Sequence, residues 1–324
     1  MVEKIIIGRD RSDLKKFGDK GTIFIGKHIV GKGENAHLTN PVYMDVIRPH
    51  IVLVCGKRGS GKSYSAGVIA EEMTLLPDDI KNNLAVLMID TMGIYWTMKF
   101  RNEKDRELLQ DWNLKSQNLP VKIFVPFGHY DSYIEKGLPI DESFALDVTE
   151  LEPEDWIITF GLDMINPVSV LIERTINLLK EEETFGISEI ISHLKKDETS
   201  SRENKNAAIA LFEAADTWGV FAKSGKEATR VENLITAGTT SILDLSVYNA
   251  GGAFNVRALV ISLVSRKIFN QRMSARKKEE IESVSKGLDY LSQTEKKEEP
   301  LVWIFIDEAH EFLPLNKKTI ATDA

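Results

Sequence analysis

The stretch Ile51-Val-Leu-Val-Cys-Gly-Lys-Arg-Gly-Ser-Gly-Lys-Ser63 decides the predicted fold. Its first five residues are apolar and mostly β-branched, which is typical of a parallel strand covered on both faces. The next eight fit Gly-x-x-x-x-Gly-Lys-Ser/Thr, a pattern whose glycine-rich backbone turn directs several N–H groups at a phosphate. Helical spacing follows over residues 63–73. A strand, a phosphate loop and a helix in this order predict a nucleotide-binding α/β domain.

The phosphate loop assigns chemical roles to particular side chains. Lys62 is expected to reach the β- and γ-phosphates, and Ser63 to ligate Mg²⁺, while the following helix directs its positive end at the nucleotide. Arg58 either contacts a phosphate or is simply solvated, and Cys55 is expected to be a small core side chain. The predicted ATP-binding residues are Gly56, Lys57, Arg58, Gly59, Ser60, Gly61, Lys62, Ser63 and Tyr64.

A second motif follows the most apolar run of the chain, Leu301-Val-Trp-Ile-Phe-Ile306. Asp307 and Glu308 come directly after it and so should lie at the carboxyl edge of the sheet, where open α/β sheets bind ligands. Asp307 suits the Mg²⁺ shell and Glu308 suits the activation of water for hydrolysis. His310 is expected to be a helix-start or coupling residue, because the histidines show no spacing typical of zinc ligands.

The rest of the chain alternates strand and helix patterns, which predicts a doubly wound, mainly parallel sheet. Strands are expected at residues 84–89, 121–125 and 241–245, and a long helix at 254–273. Ser188 is predicted to cap a helix over residues 189–194. Helical spacing over 153–218 indicates an inserted helical subdomain, and charged residues 276–299 a solvated helix extension and linker. The predicted division is a short β-rich segment (1–48), the first part of the core (49–150), the helical insertion (151–235) and the second part of the core (236–324).

Composition excludes several classes of protein. The chain has 324 residues, and its 43% hydrophobic and 28% charged content rules out a disordered chain, a collagen-like repeat and a coiled-coil rod. The net charge of −8 excludes a surface that is basic all over. The single cysteine excludes an intrachain disulfide and favours a reducing compartment. With no apolar run long enough to cross a bilayer, a cytoplasmic protein without membrane contact is expected.

Four motifs together resemble the HerA/FtsK class of P-loop ATPases, and the HerA branch is the closer match. They are Tyr43-Met-Asp-Val46, Gly56-Lys-Arg-Gly-Ser-Gly-Lys-Ser-Tyr64, Asp90-Thr-Met-Gly-Ile-Tyr95 and Ile306-Asp-Glu-Ala-His-Glu-Phe-Leu-Pro314. The resemblance covers roughly residues 20 to 324. It implies a RecA-like core, use of ATP and Mg²⁺, and a hexameric ring that pumps double-stranded DNA. It also implies a nuclease or another effector enzyme as partner, in DNA-end processing or anti-phage defence.

The resemblance carries over residue by residue only in part. The phosphate-loop roles fall on Gly61, Lys62 and Ser63, and the Walker B roles on the two acids after the last strand. Thr91 and Ile94 stand where the family has Pro and Glu in Asp-Pro-x-Gly-Glu, so any function of that Glu is missing here. The N-terminal barrel of long HerA proteins is expected to be reduced or absent. The family continues beyond Walker B with further strands, so the chain is expected to be a fragment of a longer protein.

Such rings use an arginine supplied by the neighbouring subunit to stabilise charge on the transferred phosphoryl group. Arg48, which precedes the first predicted strand, is the candidate for this role, with an exposed loop arginine as the equal alternative. Arg257 is the weaker candidate.

Four functions are compatible with these motifs. The first is a DNA-translocating ring ATPase, and the second is an ATP-gated scaffold that activates an attached nuclease or NAD-degrading enzyme without significant DNA pumping. The third is a conjugation or secretion-type coupling ATPase, which the absence of a membrane anchor disfavours. A small-molecule kinase is the most distant, because the sequence has no lid or substrate motif.

Overall fold

The structure of the chain is a computed structural model that describes residues 3–182, 184–223, 227–249, 254–286, 299–312 and 319–323. Its N-terminal part is a small sheet of three strands, β1 (Ile5–Ile7), β2 (Thr22–Val30) and β3 (His37–Asp45), with helix α1 (Arg11–Phe17) between the first two. β3 lies in the middle, parallel to β1 and antiparallel to β2. This sheet is the short β-rich segment that the sequence predicts.

The central sheet has five parallel strands and forms a RecA-like P-loop core. They are β4 (Leu84–Asp90), β5 (Val121–Pro126), β6 (Glu142–Phe144), β7 (Thr240–Asp244) and β8 (Leu301–Ile306), in the spatial order β6-β5-β7-β4-β8. Between β3 and β6 the chain forms helices α2 (Lys62–Thr74), α3 (Asp78–Lys81), α4 (Arg106–Asp111) and α5 (Tyr130–Glu135). All carboxyl ends of the parallel strands therefore meet at one edge of this sheet.

β4 is buried on both faces. Because successive side chains point to opposite faces of a strand, Ala85, Leu87 and Ile89 join one apolar cluster. Leu84, Val86 and Met88 join the other. The first cluster includes the helical subdomain and the second includes α2 and the N-terminal sheet. Burial on both faces explains why the sequence of this strand is an unbroken apolar run.

The helical subdomain consists of α6 (Pro153–Thr159), α7 (Pro167–Leu179), α8 (Ile187–Lys196), α9 (Arg202–Asp216) and α10 (Val231–Leu234). Trp156 is its central side chain, with ring centroids 5.0 Å from Phe212 and 5.2 Å from Phe221. α8 begins earlier than predicted, after Gly186, so Ser188 is not its N-cap. The cap is supplied instead by Glu189, which accepts a hydrogen bond from the Gly186 N–H at 2.8 Å.

The remaining helices are α11 (Phe254–Lys286), before β8, and α12 (Ile320–Asp323), after it. α11 extends beyond the predicted residue 273 into the charged stretch; residues 287–298 of the predicted linker lie outside the described residues. Within the described part of the chain, no helix is long and apolar enough to cross a membrane.

The predicted first strand is wrong. Residues 51–55 form no strand, and Ile51 and Leu53 are exposed, the latter at 84%. A cavity of about 510 Å³ is lined by this segment and by β8. A strand needs a hydrogen-bonded neighbour, and no strand in the described ranges pairs with this segment. For the same reason Cys55 is exposed and is not the core side chain that was expected.

Candidate functional site

The phosphate loop takes its shape from two glycines. Gly59 and Gly61 have φ angles of +76° and +87°, a region that side chains with a Cβ rarely adopt. Gly61 is also the N-cap of α2, whose first turn is closed by the Ser65 N–H donating to the Gly61 carbonyl at 2.8 Å. The loop is exposed, so its backbone and the positive end of α2 are open to an anionic ligand.

The remaining loop side chains leave this opening free. The Lys62 Nζ atom lies 3.5 Å from the Lys57 carbonyl oxygen, folded back over the loop. Arg58 and Tyr64 are exposed.

The two motifs meet at Ser63 and Asp307, which are 244 residues apart in the sequence. The Ser63 hydroxyl donates to the Asp307 carboxylate, with oxygen distances of 3.2 Å and 3.3 Å. Ser63 lies in the first turn of α2, and Asp307 follows β8, where its N–H still donates to the Ile89 carbonyl of β4. A hydroxyl and a carboxylate are the hard oxygen donors that Mg²⁺ prefers. The donor set therefore fits a magnesium ion shared with a bound triphosphate.

Burial raises the pKa of Asp307 above its ordinary value, while hydrogen bonds from the Glu308 N–H and the Ser63 side chain oppose the rise. A cation beside this carboxylate would stabilise its charged form. A cation bound here would therefore oppose the effect of burial on the pKa of Asp307.

Glu308 occupies a strained backbone position. Its φ angle is +49°, in the left-handed region that costs a residue with a Cβ about 1 kcal/mol or more. Its N–H donates to the Asp307 carboxylate at 3.0 Å, and its carboxylate lies 3.3 Å from Nδ1 of the exposed His310. Glu308 lines the same cavity as Lys62 and Asp307. This turn places Glu308 in the wall of the cavity beside the phosphate loop.

Two further carboxylates lie at the same edge of the sheet as Asp307. The sequence analysis predicts neither as a site residue. Asp90 ends β4 and Asp244 ends β7, and the two residues are paired in register. Asp307 follows β8 on the other side of β4. Asp244 accepts hydrogen bonds from the Ser246 N–H at 2.8 Å and from the Tyr133 hydroxyl at 3.2 Å.

The Asp90 carboxylate holds the loop that follows β4. One oxygen accepts the N–H groups of Met92 and Gly93, at 3.1 Å and 2.7 Å. The other accepts those of Ile94 and Tyr95, at 2.8 Å and 2.9 Å. We call this arrangement the Asp90 clamp. Burial raises the pKa of Asp90 to about 6, because desolvation outweighs the four hydrogen bonds.

The arginine candidates lie elsewhere. Arg48 is bound to Asp13 through Nε at 3.1 Å and Nη2 at 2.6 Å, and its guanidinium lies over the Phe17 ring. Its role on a neighbouring subunit stays a prediction. Arg257 is only 6% exposed and pairs with Glu311 at 2.9 Å. Its role on a neighbouring subunit also stays a prediction.

Among the described residues, no group of three or more His, Cys, Asp or Glu side chains is arranged to hold a metal ion by itself. A metal at this site would complete its shell with oxygen atoms from water or from a nucleotide. Magnesium commonly binds in this way, through one or two protein ligands and substrate phosphates.

Most of the chain is similar to a known protein family. A family model described as "Helicase HerA, central domain" matches residues 23–268, about three quarters of the chain. The matched region includes the phosphate loop, β4 to β7 and the helical subdomain. It ends before Asp307 and Glu308, whose place in the site is given by the structure. The comparison with curated proteins returned no match.

Proposed function

Because the chain belongs to the HerA central-domain family and is a P-loop ATPase, we propose that it binds and hydrolyses Mg²⁺–ATP and uses the energy to move double-stranded DNA. The observation that carries the proposal is the contact between Ser63 and Asp307, which joins the phosphate loop to the acidic pair. We further propose a homo-oligomeric, hexameric ring in the cytoplasm, working with a nuclease or NAD-degrading effector and without membrane contact. Support for these finer points comes from the family membership.

The residues of the site divide the work of hydrolysis. The N–H groups of the loop and the positive end of α2 bind the phosphates, and Lys62 neutralises charge on them. Ser63 and Asp307 would hold Mg²⁺, which lowers the charge on the transferred phosphoryl group. Glu308 orients a water molecule for attack and accepts its proton. A residue from a neighbouring subunit, with Arg48 as the candidate, would stabilise the remaining negative charge.

The proposed ATPase is tested by separating nucleotide binding from turnover. Lys62→Ala is expected to lose binding of a fluorescent ATP analogue, because the phosphates lose their cation. Glu308→Gln is expected to bind the analogue normally and to stop turnover, because an amide cannot accept the proton. Normal hydrolysis by Glu308→Gln would contradict the role given to this residue.

A second measurement separates the DNA motor from the alternative of an ATP-gated scaffold. Duplex DNA is expected to stimulate hydrolysis, and the stimulation should weaken as salt is raised, because contacts to the phosphate backbone release counterions. If DNA leaves the rate unchanged and a partner protein raises it, the scaffold is the function. The net charge of −8 keeps this alternative open, since it provides no general attraction to DNA.

Particle symmetry tests the proposed ring. With ATP and Mg²⁺ present, electron microscopy or native mass measurement is expected to show six subunits around one axis. Particles that remain monomeric with and without duplex DNA would refute the hexamer while leaving the ATPase proposal intact.

A further inference from the structure

Arg257 is a buried cation in the first turn of α11, and the function proposed above gives it no role within its own subunit. Its Nη2 atom lies 2.9 Å from a carboxylate oxygen of Glu311, and its Nη1 atom donates to the side-chain oxygen of Asn249 at 2.8 Å. The guanidinium carbon lies 5.5 Å from the centre of the buried Phe312 ring. Because a guanidinium presents its donors in a rigid planar fork, these contacts fix the relative positions of the groups that it joins.

The contacts of Arg257 connect the loops that follow two different strands. Asn249 ends the short 3₁₀ turn after β7, and Glu311 ends the 3₁₀ turn Ala309–Glu311 after β8. β7 and β8 do not pair with each other, because β4 lies between them in the sheet. Arg257 therefore supplies a link between these two loops that the hydrogen bonds of the sheet do not provide.

The turn that holds Glu311 also holds Glu308. The Glu311 N–H donates to the Glu308 carbonyl at 2.9 Å, and the Phe312 N–H donates to the Ala309 carbonyl at 3.0 Å. Glu308 has the left-handed φ angle of +49°. A residue with a Cβ stays in that region only where the surrounding structure holds it there. The ion pair between Glu311 and Arg257 is one such constraint, and it comes from α11.

We propose that Arg257 is a positioning residue for ATP hydrolysis within its own subunit, which binds Glu311 and Asn249 and thereby holds the turn that places Glu308 beside the phosphate loop. This inference rests on the proposed function, because it needs Glu308 to activate water. Displacing a catalytic group by about 1 Å can cost about 100-fold in rate. Loss of the ion pair should therefore lower kcat and leave nucleotide binding unchanged, since the phosphate loop binds the nucleotide. An ion pair that only stabilises the fold would leave kcat unchanged.

The test is steady-state ATP hydrolysis by Glu311→Ala, which removes the ion pair at a partly exposed side chain. At saturating Mg²⁺ the kcat is expected to fall about 10- to 100-fold, with the KM for ATP and the affinity for a fluorescent ATP analogue unchanged. Arg257→Gln is expected to behave in the same way. The double variant should be no slower than the slower single variant, since both remove one ion pair. An unchanged kcat, an equal loss of analogue binding or fully additive losses overturn the inference.

Arg266→Gln is the matched control, because Arg266 lies on the same helix and also forms an ion pair. It donates to the buried Asp155 carboxylate of α6 at 2.5 Å, which anchors α11 to the helical subdomain and not to the turn after β8. This variant is expected to unfold at lower urea and to keep the wild-type kcat. A fall in kcat equal to that of Glu311→Ala would show a general effect of loosening α11 and would overturn the inference.

A mixing experiment separates a role within one subunit from a role on a neighbouring subunit. Arg257→Gln keeps an intact phosphate loop, and Lys62→Ala keeps an intact Arg257. When the two variants are coexpressed, hydrolysis is expected to be no faster than the sum of their separate rates, because each phosphate loop needs the arginine of its own chain. Hydrolysis restored above that sum would show that Arg257 acts across subunits and would overturn the inference.

Asn249→Ala keeps the inference testable if the other variants fold poorly. Asn249 is exposed, and its loss removes the second partner of Arg257 while leaving the ion pair in place. This variant is expected to lower kcat less than Glu311→Ala does, again without a change in analogue binding. A wild-type kcat in this variant contradicts the inference. Wild-type protein that does not hydrolyse Mg²⁺–ATP at all would refute the proposed function itself.

Discussion

Replacing Asp90 with Asn is expected to remove a pH dependence that this buried carboxylate gives to the stability of the fold. Burial raises the pKa of Asp90 from an ordinary 3.8 to about 6, with a further contribution from the charge of Asp244. Between these two values the folded protein holds a proton that the unfolded chain has released. The contribution of Asp90 to the free energy of unfolding is therefore fully present below pH 3.8 and falls as the pH rises toward 6.

The magnitude follows from the size of the shift. A shift of about 2 pH units at about 1.36 kcal/mol per unit amounts to about 3 kcal/mol in total. Part of this loss is already complete at mildly acidic pH, because the unfolded carboxyl begins to ionise below its ordinary value. Integrating over the experimentally useful range leaves about 2 kcal/mol between about pH 4.5 and about pH 7.5.

The assay is urea unfolding, followed by tryptophan fluorescence, of the wild type and Asp90→Asn at several pH values in that range. All other titrating groups are shared, so they cancel in the difference between the two proteins. The Asn amide has one acceptor oxygen where the carboxylate has two, so two of the four clamp N–H groups lose their acceptor. The free energy of unfolding of Asp90→Asn is therefore lower by an amount that does not depend on pH. Relative to the variant, the wild type should lose about 2 kcal/mol as the pH rises.

Asp197→Asn is the control for this experiment. Although burial raises its pKa, hydrogen bonds from Ser200 and Thr199 bring the pKa of Asp197 down to about 2. The stability that Asp197 contributes is complete above an ordinary pKa of 3.8, so its difference from wild type should be constant over the same range. A flat difference for Asp90→Asn, or one that moves in favour of the wild type, would refute the burial argument.

Three other predictions concern single positions. Glu308→Gly should abolish turnover and yet unfold at higher urea than Glu308→Gln, because glycine relieves about 1 kcal/mol of left-handed strain; equal midpoints would contradict the strain. Cys55 is the only cysteine and is exposed, so maleimide should label it readily and saturating Mg²⁺–ATP should slow the labelling; equal rates would place the nucleotide elsewhere. Trp156→Ala should lower the free energy of unfolding by about 3–5 kcal/mol in urea titrations, since its ring is fully buried; a loss below about 1 kcal/mol would contradict its central place in the helical subdomain.

Much of the central sheet could be predicted from the sequence because its strands are apolar runs. β4 is predicted within one residue, since full burial on both faces leaves an unbroken apolar run. β8 is predicted with the bounds that it has from an equally apolar run, although Trp303 is its only buried residue. The phosphate loop could be predicted for a similar reason. Its residues are consecutive, and the conformation that they need selects glycine at fixed positions.

The residues that sequence analysis missed are brought to the site by contacts with parts of the chain that are distant in sequence. Asp244 and Asp90 are neighbours only because β7 and β4 pair in register, and nothing near Asp244 in the sequence indicates this. Tyr95 lies beside α2 because the Asp90 clamp turns the loop after β4 back over that helix. One signal was present: an acid ends or directly follows an apolar strand three times, at Asp90, Asp244 and Asp307. Given a parallel sheet, that repetition places three carboxylates at one edge.

The wrong prediction of a strand at residues 51–55 has a different cause. The phosphate loop beside these residues keeps its shape without that strand. β-branched residues favour extended backbone, but a strand exists only as one member of a hydrogen-bonded pair, and here no described strand supplies the other member. The phosphate loop does not depend on that pairing. Its turns are closed by local bonds, from the Ser60 N–H to the Lys57 carbonyl at 3.1 Å and within the first turn of α2. The contact between Ser63 and Asp307 then joins α2 directly to the end of β8. The site is thus organised by a helix and by the ends of the parallel strands, even though the segment that leads into the loop is not part of the sheet.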